Sequence, residues 1–261
     1  MLAAALAADQ GTAVRFEFPD EPGLAAVEAT WRGLTVPLFK DGNWVAVLGV
    51  DLDDDEGEHS LSLTLEYADG TDREVATQLG VTAREYRTTH LTVEPKYVEL
   101  SPENQERAAR EAAELNAIYD RITPDALWTQ PFDVPIPGVT GGRNFGHRRV
   151  FNEQPRNPHS GADLKAATGT PILSTNRGRV VLAKNLFFSG NAVFVDHGLG
   201  IYSAYLHLSR IDVEPGQMLE RGEVVGLVGA TGRVTGPHLH WGFRVQGARV
   251  DPFSMLEISA D

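Results

Sequence analysis

Cysteine is absent from this 261-residue sequence, and its absence excludes disulfide bonds, catalytic thiols and thiolate metal sites together. Basic residues are scarce as well: 23 lysines and arginines stand against 36 acidic residues, which gives a net charge of −13. Nucleic acid is therefore not an expected partner, because binding it usually requires a basic surface that replaces condensed counterions.

Long apolar runs are also missing. No segment approaches the roughly 18 to 20 apolar residues that a membrane span requires, so we expect no membrane span. Residues 1–9 are apolar and small but lack a basic region, and they are too short for an intact secretory signal. We therefore expect that no intact signal peptide is present in this sequence.

The first third of the sequence shows the patterns of short β-strands. Residues 13–18 alternate between apolar and polar side chains, and residues 43–50 form an apolar run. The clearest alternation covers residues 59–67 and is followed by an Asp69-Gly70 turn, which is typical of a β-hairpin. Several short strands at this spacing predict an immunoglobulin-like β-sandwich over residues 1–97.

A helix and a connector separate this region from a second β-rich region. Ser101 suits an N-cap and Pro102 the first helical position, so we predict a helical linker over residues 98–124. Residues 123–142 are rich in proline and glycine and predict an extended connector that could wrap a neighbouring surface. Short strands and glycine turns follow, so residues 125–261 are predicted to form an antiparallel β domain.

Two pairs of potential metal ligands occur in this second region. His159 precedes Asp163 by four residues, and His238 precedes His240 by two. Two imidazoles and one carboxylate, with a fourth position left for water or substrate, are the ligands of a catalytic zinc ion. His238 and His240 share one face of a predicted strand, so both can reach one centre, although a single metal ion need not bind both.

Each feature alone has a simpler interpretation. A histidine and an aspartate fall at the first spacing often by chance, and His238-x-His240 also fits an ordinary alternating strand. His207, at the end of an apolar strand, would by itself more often be a core histidine. The acidic run Asp51–Glu58 fits a calcium-binding loop poorly, and we interpret it as a solvated acidic turn.

The motifs gain weight from their order along the chain. They are Gly146–Asn152, Pro158–Asp163, Gly169–Pro171, Val195–Gly198, Tyr205–Ser209, Gly226–Gly229, Thr231–Trp241 and Val250–Pro252. In these motifs, residues 145–252 resemble the catalytic domain of the lysostaphin-like (LytM-type) zinc metallopeptidases, which cut peptide bridges in bacterial peptidoglycan. The resemblance implies a mainly β protein whose C-terminal antiparallel domain is catalytic.

The resemblance also implies roles for individual residues. Zn²⁺ is expected to be bound by His159, Asp163 and His240, with His207 and His238 free beside it. One free histidine would take a proton from a metal-activated water, and either could stabilise the oxyanion or protonate the leaving amine. The sequence leaves open which histidine has which role.

The implied activity is zinc-dependent hydrolysis of peptidoglycan cross-links. Relatives with this layout commonly cut cross-links that contain D-amino acids, whereas lysostaphin itself cuts glycine bridges. The sequence does not decide between them, and we favour the first. The implied location is the cell envelope, either periplasmic or secreted. Two alternatives stay open. One is a non-catalytic or latent LytM-type regulator of other cell-wall hydrolases, and the other is a zinc carboxypeptidase that trims uncross-linked stem peptides.

Further residues have weaker assignments. Arg148, Arg149 and Arg156 could pair with the carboxylates of a peptide stem, or equally could form surface salt bridges. Asn144 or its neighbours in the connector could reach the metal in a latent form, as upstream segments do in some relatives. The N-terminal domain or the connector could therefore occlude the site and inhibit the enzyme.

Overall fold

The computed structural model describes residues 6–91, 100–128, 130–139, 141–151, 153–155 and 157–258. These residues form two β-rich units with one α-helix between them, so the prediction of a mainly β protein is confirmed. The predicted boundaries of the domains stay a prediction. No helix among the described residues is both long and apolar enough to cross a membrane.

The N-terminal unit consists of two sheets packed around one apolar core. Its strands are β1 (Leu6–Asp9), β2 (Ala13–Phe18), β3 (Leu24–Trp31), β4 (Leu34–Pro37), β5 (Phe39–Asp41), β6 (Asn43–Gly49), β7 (Gly57–Tyr67) and β8 (Asp72–Thr82). The sheet orders are β1-β8-β7-β3-β4 and β2-β6-β5. In β7, Leu61, Leu63 and Leu65 are fully buried because alternate side chains face the opposite sheet. The immunoglobulin-like assignment of this unit stays a prediction.

The helix and a small sheet connect the two units. They comprise β9 (Thr88–Leu91), α1 (Pro102–Tyr119), β10 (Arg148–Phe151) and β11 (Gln154–Pro155). The Ser101 hydroxyl accepts a hydrogen bond from the Asn104 amide, as an N-cap should. Strand β9 pairs in parallel with β10, and β10 pairs antiparallel with β11. Residues that follow the N-terminal unit therefore contribute a strand beside the hairpin that leads to His159.

The C-terminal unit is built on a large antiparallel sheet. Its strands are β12 (Gly161–Leu164), β13 (Pro171–Leu173), β14 (Gly178–Leu186), β15 (Gly190–Asp196), β16 (Ile201–Leu208), β17 (Arg210–Ile211), β18 (Met218–Leu219), β19 (Val224–Leu227), β20 (Leu239–Val245) and β21 (Ala248–Val250). The large sheet has the order β12-β20-β16-β15-β14-β18, with β21 paired to β20, and a second sheet has the order β13-β19-β17. A 3-10 helix, Pro252–Glu257, follows.

The connector and the helix both pack against this unit. Phe132 and Ile136 are buried in its core, and the Leu127 amide donates to the His197 carbonyl at 2.8 Å. On the other side of the large sheet, Ile118 of α1 is buried in a smaller apolar cluster. The expectation that the connector wraps a neighbouring surface is confirmed for these residues.

A polar seam joins the two β units. The Asp51 carboxylate is buried and accepts hydrogen bonds from the backbone amide and the guanidinium of Arg249. Gln246 donates its amide to the Val47 carbonyl at 3.1 Å and accepts from the Gly49 amide at 3.3 Å. The expectation of a solvated acidic turn is therefore wrong at Asp51, because Arg249 compensates the burial of its charge.

We predict that Asp51→Asn lowers the free energy of unfolding by about 2 kcal/mol at pH 7, since it breaks a largely buried charged hydrogen-bond network. Burial opposes ionisation of Asp51, but its hydrogen bonds with Arg249 outweigh burial and lower its pKa. A lowered folded-state pKa stabilises the fold above the unfolded value and loses that effect as pH falls through the folded value. The difference between variant and wild type should therefore shrink below about pH 4.

Urea denaturation of both proteins from pH 7 downward measures this difference. Asp212→Asn is the matched control, because Asp212 forms an exposed ion pair with Arg210 inside one unit. The control should change stability little. Equal stability of Asp51→Asn and wild type at pH 7 would show that the Asp51 charge contributes nothing to stability.

Candidate metal centre

His159, Asp163 and His240 converge at one point beside the large sheet. The His159 Nε2 atom lies 3.0 Å from Asp163 Oδ1 and 3.0 Å from His240 Nδ1. The third side of this triangle, from His240 Nδ1 to Asp163 Oδ1, is 3.1 Å. A tetrahedral zinc ion with bonds of about 2.0 to 2.1 Å separates its ligand atoms by roughly 3.3 Å, so the triangle fits one ion of that size.

Strand register explains how residues far apart in sequence meet here. Asp163 on β12 is the direct antiparallel partner of His240 on β20, so their side chains leave the same face of the sheet. His159 lies in the loop before β12, and main-chain hydrogen bonds with Gly146 and His147 fix that loop. The loop thereby brings the His159 ring into contact with Asp163 and His240.

Asn144 forms hydrogen bonds with two of these three residues, Asp163 and His159. Its side-chain amide donates to Asp163 Oδ2 and accepts from the Asp163 backbone amide, each at 3.0 Å. Its backbone carbonyl lies 3.0 Å from His159 Nδ1. Because a carbonyl can only accept, Nδ1 carries the proton and the Nε2 lone pair of neutral His159 faces the triangle. Asn144 therefore orients the candidate ligands, as outer residues commonly do at metal sites.

The charges at the triangle also suit a cation. Burial opposes ionisation of Asp163, but the adjacent His159 and His240 rings outweigh it and hold the pKa of this carboxyl well below its usual range. Burial lowers the pKa of His240, which favours its neutral form. A single proton can satisfy only one of the three close contacts, whereas one cation at the centre satisfies the lone pairs of all three atoms.

Two further histidines stand beside the triangle. His238 Nε2 lies 3.6 Å from Asp163 Oδ1, and the His207 and His238 ring centroids are 5.0 Å apart. The Nδ1 atom of His238 lies 2.8 Å from the Gly236 carbonyl, and that of His207 lies 2.9 Å from the Thr231 carbonyl. Both carbonyls require a protonated Nδ1, so each neutral ring has its lone pair on Nε2.

His207 occupies an unusual place in its strand. Between the pairs Asn191–Leu208 and Val193–Tyr205, two residues of β16 oppose one residue of β15, which is a β-bulge. His207 lies in the bulge with φ of 69°, in the left-handed region that residues other than glycine rarely adopt. Burial and the nearby His240 and His238 lower the pKa of His207 to about 4, so this ring is neutral at pH 7.

Among the three arginines with a predicted role in substrate binding, the structure describes the side chain of Arg148. The Arg148 guanidinium is exposed and lies 3.3 Å from Asp53 Oδ1, across the seam. Arg149 belongs to β10 through its backbone, and Arg156 lies outside the described residues. The proposed contact of these arginines with a peptide stem stays a prediction.

Sequence reasoning missed two structural roles. It treated Asn144 as a possible metal ligand, whereas both atoms of its amide are engaged by Asp163. It gave no individual role to Thr231, whose carbonyl contacts His207. No side-chain pattern could have shown these roles, because each depends in part on a backbone carbonyl.

Two histidines and an aspartate converge on one point, with two oriented histidines beside them, and this is the arrangement expected of a metallohydrolase built on an antiparallel sheet. Comparison with known proteins agrees. The sequence profile described as peptidase family M23 matches residues 157–252. A crystal structure of a putative peptidase M23 from Pseudomonas aeruginosa is 32% identical with a TM-score of 0.67, and the match covers 98% of this chain and 96% of that one. The chain belongs to peptidase family M23.

Two curated relatives each match less than half of the chain. Peptidoglycan DD-endopeptidase ShyA of Vibrio cholerae is 44% identical over 109 residues, which are 41% of this chain and 25% of the relative. DD-carboxypeptidase/endopeptidase Mpg of Neisseria meningitidis is 40% identical over 97 residues, which are 37% of this chain and 22% of the relative. The matched part thus spans about a quarter of the length of these relatives.

Proposed function

We propose that this protein is a zinc-dependent endopeptidase that hydrolyses the peptide cross-links of bacterial peptidoglycan. The observation that carries the proposal is the convergence of His159, Asp163 and His240, with His207 and His238 beside them. The names of the relatives support a bond between D-amino acids as the target. We place the protein in the cell envelope, where this substrate occurs.

Within this proposal, His159 Nε2, His240 Nδ1 and an Asp163 oxygen hold Zn²⁺, because imidazole and carboxylate groups without thiolates suit an open catalytic site. Zinc supplies a Lewis acid that polarises the scissile carbonyl and lowers the pKa of water from about 15.7 to about 7. Asn144 keeps the His159 and Asp163 side chains in position for the ion.

His207 and His238 move the protons. The Nε2 lone pair of one ring accepts a proton from the attacking water, while the water oxygen bonds to the scissile carbonyl carbon. The protonated ring then donates this proton to the leaving amine as the carbon–nitrogen bond breaks. The other ring stabilises the oxyanion when it also carries a proton at Nε2 and donates a hydrogen bond from that atom. Arg148, Arg149 and Arg156 pair with carboxylates of the peptide stem.

Digestion of purified peptidoglycan, read by mass spectrometry after the zinc content of the protein has been assayed, tests the proposal. The zinc-loaded protein should convert cross-linked dimers into monomers, and the new termini identify the cleaved bond. A zinc-loaded protein that leaves dimers intact under conditions in which a known endopeptidase cuts them would contradict the proposed activity.

A second activity is supported by the relative from Neisseria meningitidis, whose name includes carboxypeptidase as well as endopeptidase. Loss of the terminal residue from monomeric stem peptides in the same digestion would show this trimming activity. A regulator without catalysis is less well supported, because the three candidate ligands and both flanking histidines are present.

We further propose that the N-terminal region or the connector restricts access to the site. The pairing of β9 with β10 places that region beside the hairpin leading to His159, which supports the proposal. Removing residues up to about 123 should then raise the rate of dimer cleavage. The comparison counts only if the shortened protein keeps its zinc and a cooperative thermal transition, and an unchanged or lower rate in such a protein would contradict the proposal.

A further inference from the structure

The Thr231 hydroxyl bridges the two strands beside the bulge that contains His207. It accepts a hydrogen bond from the Asn191 backbone amide at 2.9 Å and donates one to the Leu208 carbonyl at 2.8 Å. Asn191 and Leu208 are the paired residues that close the bulge on one side. The Thr231 side chain, from the loop between β19 and β20, therefore joins β15 and β16 at the residue next to His207.

The backbone of the same residue contacts the His207 ring. The Thr231 carbonyl lies 2.9 Å from Nδ1 of His207 and requires a proton there. The His207 backbone amide donates to the Ser189 carbonyl, also at 2.9 Å. The ring orientation and the ring tautomer thus depend on where the loop places Thr231.

The loop has little room to move towards the strands. A Cβ atom on Gly232 would lie 2.3 Å from the Gly190 nitrogen, and one on Gly190 would lie 2.3 Å from Thr231 atoms. The Arg233 backbone amide also donates to the Phe188 carbonyl at 2.9 Å. Close packing sets the distance between the loop that contains Thr231 and the β14–β15 turn. The hydrogen bonds of the Thr231 hydroxyl set the position of this loop along β15 and β16.

We propose that Thr231 is a positioning residue for His207. Its hydroxyl fixes the loop to the bulge, and the carbonyl of the same residue then holds His207, beside His240, in the tautomer that leaves the lone pair on Nε2. The inference rests on the proposed proton-transfer role of His207, because only that role makes the tautomer important. Thr231 is not a metal ligand and does not replace either flanking histidine.

Thr231→Val is the main test, since valine keeps the shape of the side chain and removes its hydrogen bonds. We expect kcat on cross-linked dimers to fall by roughly tenfold or more with a smaller change in KM, because part of the proton-transfer contribution of about 10² to 10⁴ is lost. Thr231→Ser should restore most of the rate. Ser209→Ala is the matched control, since its hydroxyl bonds main-chain carbonyls nearby without touching His207.

A second measurement does not depend on activity. Long-range proton–nitrogen NMR spectra of ¹⁵N-histidine-labelled protein report the tautomer of each ring. Wild type and Thr231→Ser should show His207 protonated at Nδ1, and Thr231→Val should show a mixture of tautomers at unchanged zinc content. If Thr231→Val does not fold, Thr231→Ala serves in both measurements.

The two measurements separate the inference from the function that it rests on. A single Nδ1 tautomer of His207 in both Thr231→Val and wild type, with unchanged kcat, would overturn the positioning role. A tautomer mixture in Thr231→Val together with an inactive wild type would support positioning and contradict the proposed hydrolysis. A loss of kcat that serine does not rescue would also overturn the role of the hydroxyl.

Discussion

His240→Ala should abolish both zinc binding and cleavage of peptidoglycan dimers. The substitution removes one of three converging ligands and leaves the Asp163 carboxylate and the His159 ring without the third atom of the triangle. With the metal lost, the polarised carbonyl and the activated water are lost together, so the rate should fall by at least about 10³-fold. Zinc content by atomic emission and dimer digestion by mass spectrometry measure the two effects.

The control for this prediction is His59→Ala, which removes a histidine of the N-terminal unit that bonds the Asp55 carbonyl. This variant should keep both zinc and activity. A His240→Ala protein that binds one equivalent of zinc with wild-type affinity would show that the triangle is not the metal centre. Full activity without zinc in either protein would contradict a metal-dependent reaction altogether.

His207→Ala and His238→Ala should give a different result, namely zinc retained and turnover lost. Neither ring belongs to the triangle, but His238 Nε2 lies 3.6 Å from Asp163 Oδ1, and the His207 ring centroid lies 6.1 Å from that of His240. Removal of a general acid or base typically costs about 10² to 10⁴ in rate. The zinc content of both variants should match wild type while kcat on cross-linked dimers falls within that range.

His207 offers an internal control because of its backbone. At position 207 the φ of 69° is strained for alanine, because alanine has a Cβ atom. Glycine has none and adopts this conformation without a clash. The free energy of unfolding of His207→Gly should therefore exceed that of His207→Ala by about 1 kcal/mol. Both variants should be inactive. Equal or reversed stabilities would show that the bulge relaxes when the ring is removed, and loss of zinc from both would make His207 a ligand.

Much of the fold follows from local pattern. Alternation over residues 59–67 predicts β7, and the Ser101-Pro102 signal predicts the start of α1, because both depend on neighbours in sequence. The parallel pairing of β9 with β10 and the ion pair between Asp51 and Arg249 were not predicted. These contacts join distant segments, and no local pattern specifies which distant partner a strand or a carboxylate finds.

The site was predictable to a different degree. Ordered motifs and the family resemblance located the five histidine and aspartate side chains, which the structure places together. The sequence could not supply the bulge at His207, since no glycine marks it. It also could not supply the carbonyls that select each tautomer, because every residue has one and only the fold determines its direction.

The seam between the two β units also determines the order in which the chain can fold. The Ala13 amide bonds the Ser254 hydroxyl across 241 positions of sequence, and Gln246 bonds Gly49 across 197. Contacts at such separations close very large loops, and their entropy cost slows folding. The N-terminal unit is synthesised first, yet its buried Asp51 lacks the charge of Arg249 until β21 has been made. Completion of folding therefore waits for the last strand, and refolding should be limited by formation of the seam.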